Sequence, residues 1–102
     1  MLIDITLIKE TFSKDSKLKD IATTTERTIP VEVRSVTRQE FFLANKAGIS
    51  PEYIAEIFFE DFEGETKAKI GNDEYKIYRS FTDYEEEKTE LYLERVRKSG
   101  NS

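Results

Sequence analysis

Two clusters of carboxylates are the residues of this sequence best suited to chemistry. They are Glu60, Asp61, Glu63 and Glu65, followed by Asp83, Glu85, Glu86 and Glu87. Paired carboxylates can exchange protons with a substrate or hold a divalent cation. Neither cluster contains the glycine-centred loop with alternating Asp that binds calcium, and both fall in predicted turns. We interpret them as solvated turns, with a weak cation site as the alternative.

Other residue types that commonly carry catalysis are missing. The chain has no His and no Cys, which removes the commonest general base near neutral pH, thiol nucleophiles and disulfides. Its four Gly are scattered, so no phosphate-binding loop is present. Nothing in the residue types supports an enzyme, and nothing indicates a cofactor or a bound metal.

Five aromatic residues towards the C-terminus could instead stack nucleic-acid bases on a sheet. They are Tyr75, Tyr78, Phe81, Tyr84 and Tyr92. Alternation along a strand points half of them inward, and the neighbouring acids would repel phosphate. We interpret them as core and interface packing.

The composition indicates one small, strongly charged domain. Of 102 residues, 36% are charged and 37% are apolar, with a net charge of −5. The modest apolar fraction suits a thin domain, or one whose apolar surface is completed by a partner. The negative sign argues against non-specific nucleic-acid binding, although a local basic patch stays open. No signal peptide and no stretch of about 20 apolar residues is visible, so we expect a soluble protein made in a reducing cytoplasm, without a membrane contact.

Alternation of apolar and polar residues predicts six strands. The first covers residues 2–12, with an apolar face made by Ile3, Ile5 and Leu7. The others lie within residues 29–36, 53–61, 62–71, 74–81 and 88–97. The last two form a hairpin joined by an acidic turn, in which Ile77, Phe81, Leu91 and Leu93 are expected to pack in the core.

One short helix is predicted at residues 38–47. Thr37 followed by Glu40 is a capping box, and Gly48 suits a left-handed C-cap. We expect Phe41, Ala44 and Phe42 to face the core. Between the first two strands, residues 13–28 lack an apolar period and predict a long mobile loop, which is either functional or a solvated linker.

The expected fold is mainly β with one short helix: a small antiparallel six-stranded barrel or sandwich with a long loop between the first two strands. We expect residues 1–97 to form a single domain and residues 98–102 to be a flexible tail.

This order of elements resembles the head–tail connector proteins of tailed bacteriophages, in the head-closure (adaptor or stopper) group of siphophages and prophages. The segments that carry the resemblance are TRQEFFLANKAGISPEYIAEIFFED, IGNDEYKIYRSF and KTELYLERV. The chain lacks the Gly-x-Leu-Arg opening of many relatives.

The resemblance implies a structural role without catalysis. Such subunits form rings of six or twelve copies at the virion neck, between the portal or adaptor ring and the tail-completion protein, and DNA passes through the channel without specific binding. The loop from Phe12 to Arg27 becomes the candidate for channel closure or subunit contact, through Ser13, Lys14, Lys17, Leu18, Ile21, Thr23, Thr24 and Thr25. The helix becomes the candidate contact with a neighbouring ring, through Arg38, Gln39, Phe42 and Lys46.

Two other classes of function remain as alternatives. A small barrel could be a cellular binding module for a peptide or a nucleic acid, which would need a basic or aromatic concave face. A small hydrolase using paired acids is disfavoured by the missing His and Cys.

Overall fold

The computed structural model describes residues 2–14 and 16–96. Its strands are β1 Leu2–Lys14, β2 Asp20–Ser35, β3 Pro51–Phe58, β4 Lys67–Ile70, β5 Asp73–Asp83 and β6 Lys88–Arg95. Within these residues one α-helix, α1, covers Arg38–Lys46, and a 3-10 turn covers Phe59–Asp61. The tail predicted at residues 98–102 lies outside the described part of the chain.

The six strands close into an antiparallel barrel in the order β1-β2-β3-β6-β5-β4. The expected mainly β fold with one short helix is therefore confirmed, as a barrel and not a sandwich. The short strand β4 closes it, because it pairs with β1 on one side and β5 on the other. The interior is filled by Ile5, Leu7, Val31, Val33, Ala55, Ile57, Ala68, Tyr75, Ile77, Leu91 and Leu93.

A β-bulge in β5 reverses the face on which the rest of that strand lies. Ile77 and Arg79 pair with consecutive residues of β6, which leaves Tyr78 as the extra residue. Beyond the bulge Phe81 turns outward and is 50% exposed, so the prediction that it packs in the core is wrong. An inserted residue shifts the two-residue alternation by one position, and the sequence pattern gives no sign of it.

The predicted loop between the first two strands is also wrong. β1 ends at Lys14 and β2 begins at Asp20, so only residues 15–19 separate two long strands. These strands pair in continuous register from Leu2 opposite Glu32 to Lys14 opposite Asp20. Residues 20–26 lack an apolar period because both faces of the strand are exposed there. Their three threonines and Ile21 still favour extended backbone.

Helix α1 has the predicted ends but not the predicted packing. The capping box between Thr37 and Glu40 is present, and Gly48 has φ +79° just beyond the helix. No helical residue is buried: Phe41 is 42% and Phe42 is 61% exposed, and Ala44 is half-buried. The expectation that these three face the core is therefore wrong. The strands already fill the barrel interior, so the helix lies on the outer surface.

Candidate functional site

β1 and β2 extend beyond the barrel as a two-stranded ribbon, residues 9–14 and 20–26. β4 pairs with β1 only over Thr6–Ile8, and β3 pairs with β2 only over Glu32–Ser35. In the described part of the ribbon every residue except Lys9 is exposed, and both strands present a free backbone edge. An isolated two-stranded ribbon is marginally stable in water, so this one would gain stability from a partner.

The structure distributes the predicted loop residues over both faces of the ribbon. By strand register, one face carries Ser13, Ile21, Thr23 and Thr25, and the other carries Lys14 and Thr24. Lys17 and Leu18 lie in the connection between the strands. Exposed apolar side chains accompany them, since Phe12 is 67%, Leu18 is 76% and Ile21 is 43% exposed.

An ion pair ties the base of the ribbon to the barrel. Arg27 Nη2 donates to Glu65 Oε2 at 2.8 Å and to the carbonyl oxygen of Asp61, and Arg27 Nε lies 3.5 Å from Glu63 Oε2. Glu65 is only 3% exposed. Burial alone raises the pKa of its carboxyl, but hydrogen bonds from Arg27 and from the Glu63 N–H outweigh it, and the pKa lies below the ordinary value. The anchor holds the ribbon at a defined angle to the barrel.

This anchor was missed by sequence reasoning. Arg27 fell inside the predicted loop and Glu65 inside an acidic turn, 38 residues apart. No periodicity or motif links them, because the contact depends on how the chain between them folds.

A second charged cluster fastens helix α1 to the outer face of the barrel. Arg34 Nη1 lies 3.3 Å from Glu40 Oε1, and Arg34 Nη2 lies 3.2 Å from Glu90 Oε2. Arg34 Nε lies 3.8 Å from Glu56 Oε1. Tyr92 OH donates to Glu90 Oε1 at 3.3 Å. Burial raises the pKa of Glu40, but hydrogen bonds from Arg34 and the Thr37 N–H outweigh it and hold the pKa below its ordinary value. Ion pairs, together with modest apolar contact, therefore position the helix.

The helix and the outer face of the sheet enclose a cleft of about 330 Å³. Its apolar lining comes from Leu43 and Ile49 on one side and from Tyr78 and Tyr92 on the other. The rings of Tyr78 and Tyr92 pack edge to face with their centres 6.1 Å apart. The Arg79 guanidinium lies 5.0 Å from the centre of the Tyr92 ring. Glu40 also lines the cleft, and its carboxylate is already bonded to Arg34 and to the Thr37 N–H.

The five aromatic residues considered for base stacking do not share one face. Tyr75 is buried inside the barrel at 2% exposure, whereas Tyr78 and Tyr92 pack against each other outside it. Phe81 and Tyr84 are exposed, at 50% and 76%. The arrangement provides no continuous platform on which successive bases could stack.

The predicted contact residues of the helix all point away from the barrel. Arg38, Phe42 and Lys46 follow at intervals of four residues, which places them on one exposed face, and Gln39 is exposed beside them. They are available to a partner, and none of them takes part in the Arg34 cluster.

Replacing Glu40 should loosen the helix in a pH-dependent manner. We expect Glu40→Ala to lower the free energy of unfolding by about 1–2 kcal/mol at pH 7, because the Thr37 N–H loses its acceptor in the capping box and Arg34 loses one of its partners. The folded-state pKa lies below the unfolded value, so this stabilisation is complete above about pH 4.3 and is lost as pH falls through the folded pKa. Denaturant titrations from pH 7 to about pH 2 would measure it.

Gln39→Ala is the matched control, since Gln39 is exposed on the same turn. It should change the free energy by less than about 0.5 kcal/mol at every pH. A deficit in Glu40→Ala that stays constant to the lowest pH would contradict the ionic role of this carboxylate.

The two acidic clusters meet at one end of the barrel as turns. The Phe59 N–H donates to the carbonyl oxygen of Glu87 at 3.1 Å, which joins the two loops. Asp83 Oδ1 accepts from the backbone N–H groups of Glu85 and Glu86 at 3.1 and 3.2 Å. Over residues 2–14 and 16–96, no three carboxylates converge to hold a metal ion.

Three lysines line a groove of about 490 Å³ beside β4. Lys67 lies opposite Lys76 across β4 and β5, and Lys69 also lines the groove. Three glutamates line it too, namely Glu10, Glu26 and Glu74. Glu10 forms an ion pair with Lys67. The groove thus has no excess of positive charge and gives little support to phosphate binding.

Within the described residues, the helical segment is too short and too polar to cross a bilayer. No protein-family model matches the chain, and no curated protein matches it significantly.

Proposed function

We propose that this chain is a structural subunit of a bacteriophage head–tail connector. In this role it assembles as a ring at the virion neck, between the portal or adaptor ring and the tail-completion protein, after synthesis in the bacterial host cytoplasm. It acts through contacts with neighbouring subunits and has no catalytic step. The resemblance of its three segments to connector proteins supports the proposal, and so does the barrel with one outer helix.

The ribbon is the observation that carries the proposal. It projects beyond the barrel, exposes Phe12, Leu18 and Ile21, and leaves two strand edges unpaired among the described residues. Such edges are avoided in isolated proteins because they invite association. A subunit that is completed by copies of itself has a use for them.

The charge of the chain supports the same role. The net charge of −5 disfavours adhesion to DNA phosphates. A channel through which DNA slides requires walls that do not hold it, and an acidic subunit meets that requirement.

Shortening the ribbon should abolish assembly while preserving the fold. Glu10 lies directly opposite Thr24, so residues 11–23 can be replaced by Asn-Gly, a two-residue hairpin turn. We expect the circular dichroism spectrum of a folded barrel, but a virus carrying the change should yield particles that lose DNA or lack tails. Electron microscopy and plaque counts measure this outcome.

Thr11→Ser is the control, because it changes an exposed residue of the ribbon that is not among the candidate contacts and keeps the ribbon length. Normal yields of infectious virus from the shortened chain would refute a role of the ribbon in assembly.

A peptide-binding module is the second candidate, and the same free strand edges favour it. An extended peptide can add a strand to an exposed edge. Nucleic acid is a weaker occupant, given the balanced charges of the groove beside β4. Micromolar, salt-sensitive binding in a titration with single-stranded DNA at low salt would favour a binding module over a connector subunit.

A further inference from the structure

Three aromatic rings form a continuous patch where the 3-10 turn meets the last hairpin. The patch consists of Phe58, Phe59 and Tyr84. The ring centres of Phe58 and Phe59 lie 5.1 Å apart, and those of Phe59 and Tyr84 lie 5.9 Å apart. Phe58 is 46% and Tyr84 is 76% exposed. The Phe59 N–H bond to Glu87 holds the two loops together, so the patch is formed before any partner arrives.

A strongly negative rim surrounds this aromatic patch. Residues 59–66 and 83–87 contain eight of the 21 acids of the chain and no Lys or Arg, and the adjacent Lys88, which lies opposite Phe58, is paired with Glu56. Glu63 and Glu65 are paired with Arg27. Six acids remain: Glu60, Asp61, Asp83, Glu85, Glu86 and Glu87. An apolar surface in a negative field fits a partner that combines an apolar side chain with positive charge.

The ribbon turn of the same chain has that combination. Lys17 and Lys19 lie in this turn, in a chain whose net charge is −5, whereas Lys14 at its base is paired with Asp20. Leu18 stands between Lys17 and Lys19, is 76% exposed and has φ +62°. The turn therefore presents an apolar side chain flanked by two cations.

We propose that the ribbon turn of one copy docks on the aromatic patch of a second copy. Leu18 packs against the rings of Phe58 and Tyr84, and Lys17 and Lys19 lie near the acidic rim. The contact deepens the connector role proposed above and takes from it only the self-association of the chain.

Strand directions place the turn and the patch where such a contact is possible. β1 and β5 are both antiparallel to β4, so they run parallel to each other. Both continue past Lys67, the first residue of β4, to Lys14 and Asp83 respectively. The ribbon turn and the acidic turn thus lie at the same end of the barrel, and copies that stand side by side can meet turn to patch.

Such a contact joins two different surfaces, so each copy offers its turn to one neighbour and its patch to the other. A head-to-tail contact of this kind closes into a ring when the rotation between copies permits. This geometry is the one that a connector ring requires.

A charge exchange between two variants tests the contact. We expect the wild-type chain to associate in sedimentation velocity at low salt and to dissociate as salt rises. Lys17→Glu with Lys19→Glu makes turn and rim both negative, and Glu85→Lys with Glu86→Lys removes most of the negative charge of the rim while the turn stays positive. Each variant alone should need a roughly tenfold higher concentration to associate. Mixed in equal amounts, the two variants should form pairs again, because the unchanged turn with Lys17 and Lys19 on one variant meets the unchanged acidic rim of the other.

A disulfide cross-link tests whether Leu18 and Tyr84 meet at the apolar centre of the contact. The chain has no Cys, so only the introduced thiols can react. Leu18→Cys with Tyr84→Cys in one chain should give a ladder of disulfide-linked multimers on oxidation. Each single variant should give far less linked product, since turn does not meet turn. Circular dichroism checks that all variants are folded.

Three results would overturn the contact: a wild-type chain that stays monomeric at all concentrations, a mixture that behaves like its separate components, or equal linking by the single and double variants. The outcome is separable from the connector role. A confirmed contact with normal virus from the shortened ribbon would remove only that role, and virus failure without charge exchange would remove only this contact.

Discussion

Leu93→Ala should lower the free energy of unfolding by about 2–5 kcal/mol, the range for removing a buried leucine side chain beyond its β-carbon. Leu93 is fully buried, lies opposite Ile77 in β5 and opposite Tyr53 in β3, and belongs to the barrel core. The closed barrel leaves little freedom to collapse around the cavity. Denaturant unfolding of the purified chain measures the loss.

Phe81→Ala is the informative comparison, because simple alternation places Phe81 in the same core. The bulge at Tyr78 turns it outward to 50% exposure. We expect a loss below about 1 kcal/mol despite the larger side chain. Similar losses in the two variants would mean that β5 has no bulge in solution.

Arg27→Met should destabilise the fold by about 2–3 kcal/mol, because it leaves the buried Glu65 carboxylate without its cation. We expect a loss of stability no larger than the low end of the range for a broken buried ion pair. The Arg27 side chain is 32% exposed, so water can partly replace its contact with Glu65. The substitution should also raise the pKa of Glu65, since burial then acts with less opposition. Denaturant unfolding at pH 7 measures the loss.

Lys14→Met provides the matched control, since Lys14 and Asp20 form an ion pair with side chains 62% and 77% exposed. Its effect should stay within about 0.5 kcal/mol. Adding Glu65→Gln to Arg27→Met should recover part of the lost stability, because a neutral amide is cheaper to bury than an unpaired carboxylate. No recovery in the double variant would contradict the charge explanation.

The Arg27 anchor also bears on function. If the base of the ribbon were not attached to the barrel, docking would have to order the whole ribbon and would cost much conformational entropy. Fixing its base to the 61–65 loop leaves mainly the tip to be ordered by a partner. We therefore expect Arg27→Met to weaken self-association as well as the fold.

Local sequence signals were sufficient for several elements. The capping box at Thr37 and Glu40 and the glycine after the helix identified α1 to within one residue at its end. The apolar alternation of Ile5 and Leu7, and of Leu91 and Leu93, identified the faces that close the core. These features depend on interactions between residues close in the chain, or on a repeat that one buried face imposes.

Three features were decided only by the tertiary structure. The ribbon has no buried face, so the sequence shows no alternation there, and its strands become evident only when β1 pairs with β2. The bulge at Tyr78 inserts one residue into β5, and this insertion turns Phe81 outward. The amino-acid composition of the strand gives no sign of the insertion.

The third feature is the set of charged contacts that anchor the ribbon and the helix. Arg27 meets Glu65 across 38 residues, and Arg34 meets Glu90 across 56. In a sequence with 36% charged residues, any Arg has many possible partners, and only closure of the barrel selects among them. The sequence by itself thus determined which segments are strands with a buried face and where the helix begins. The path of the chain through the barrel decided which charges and aromatic rings are neighbours, because those contacts join residues that no local spacing relates.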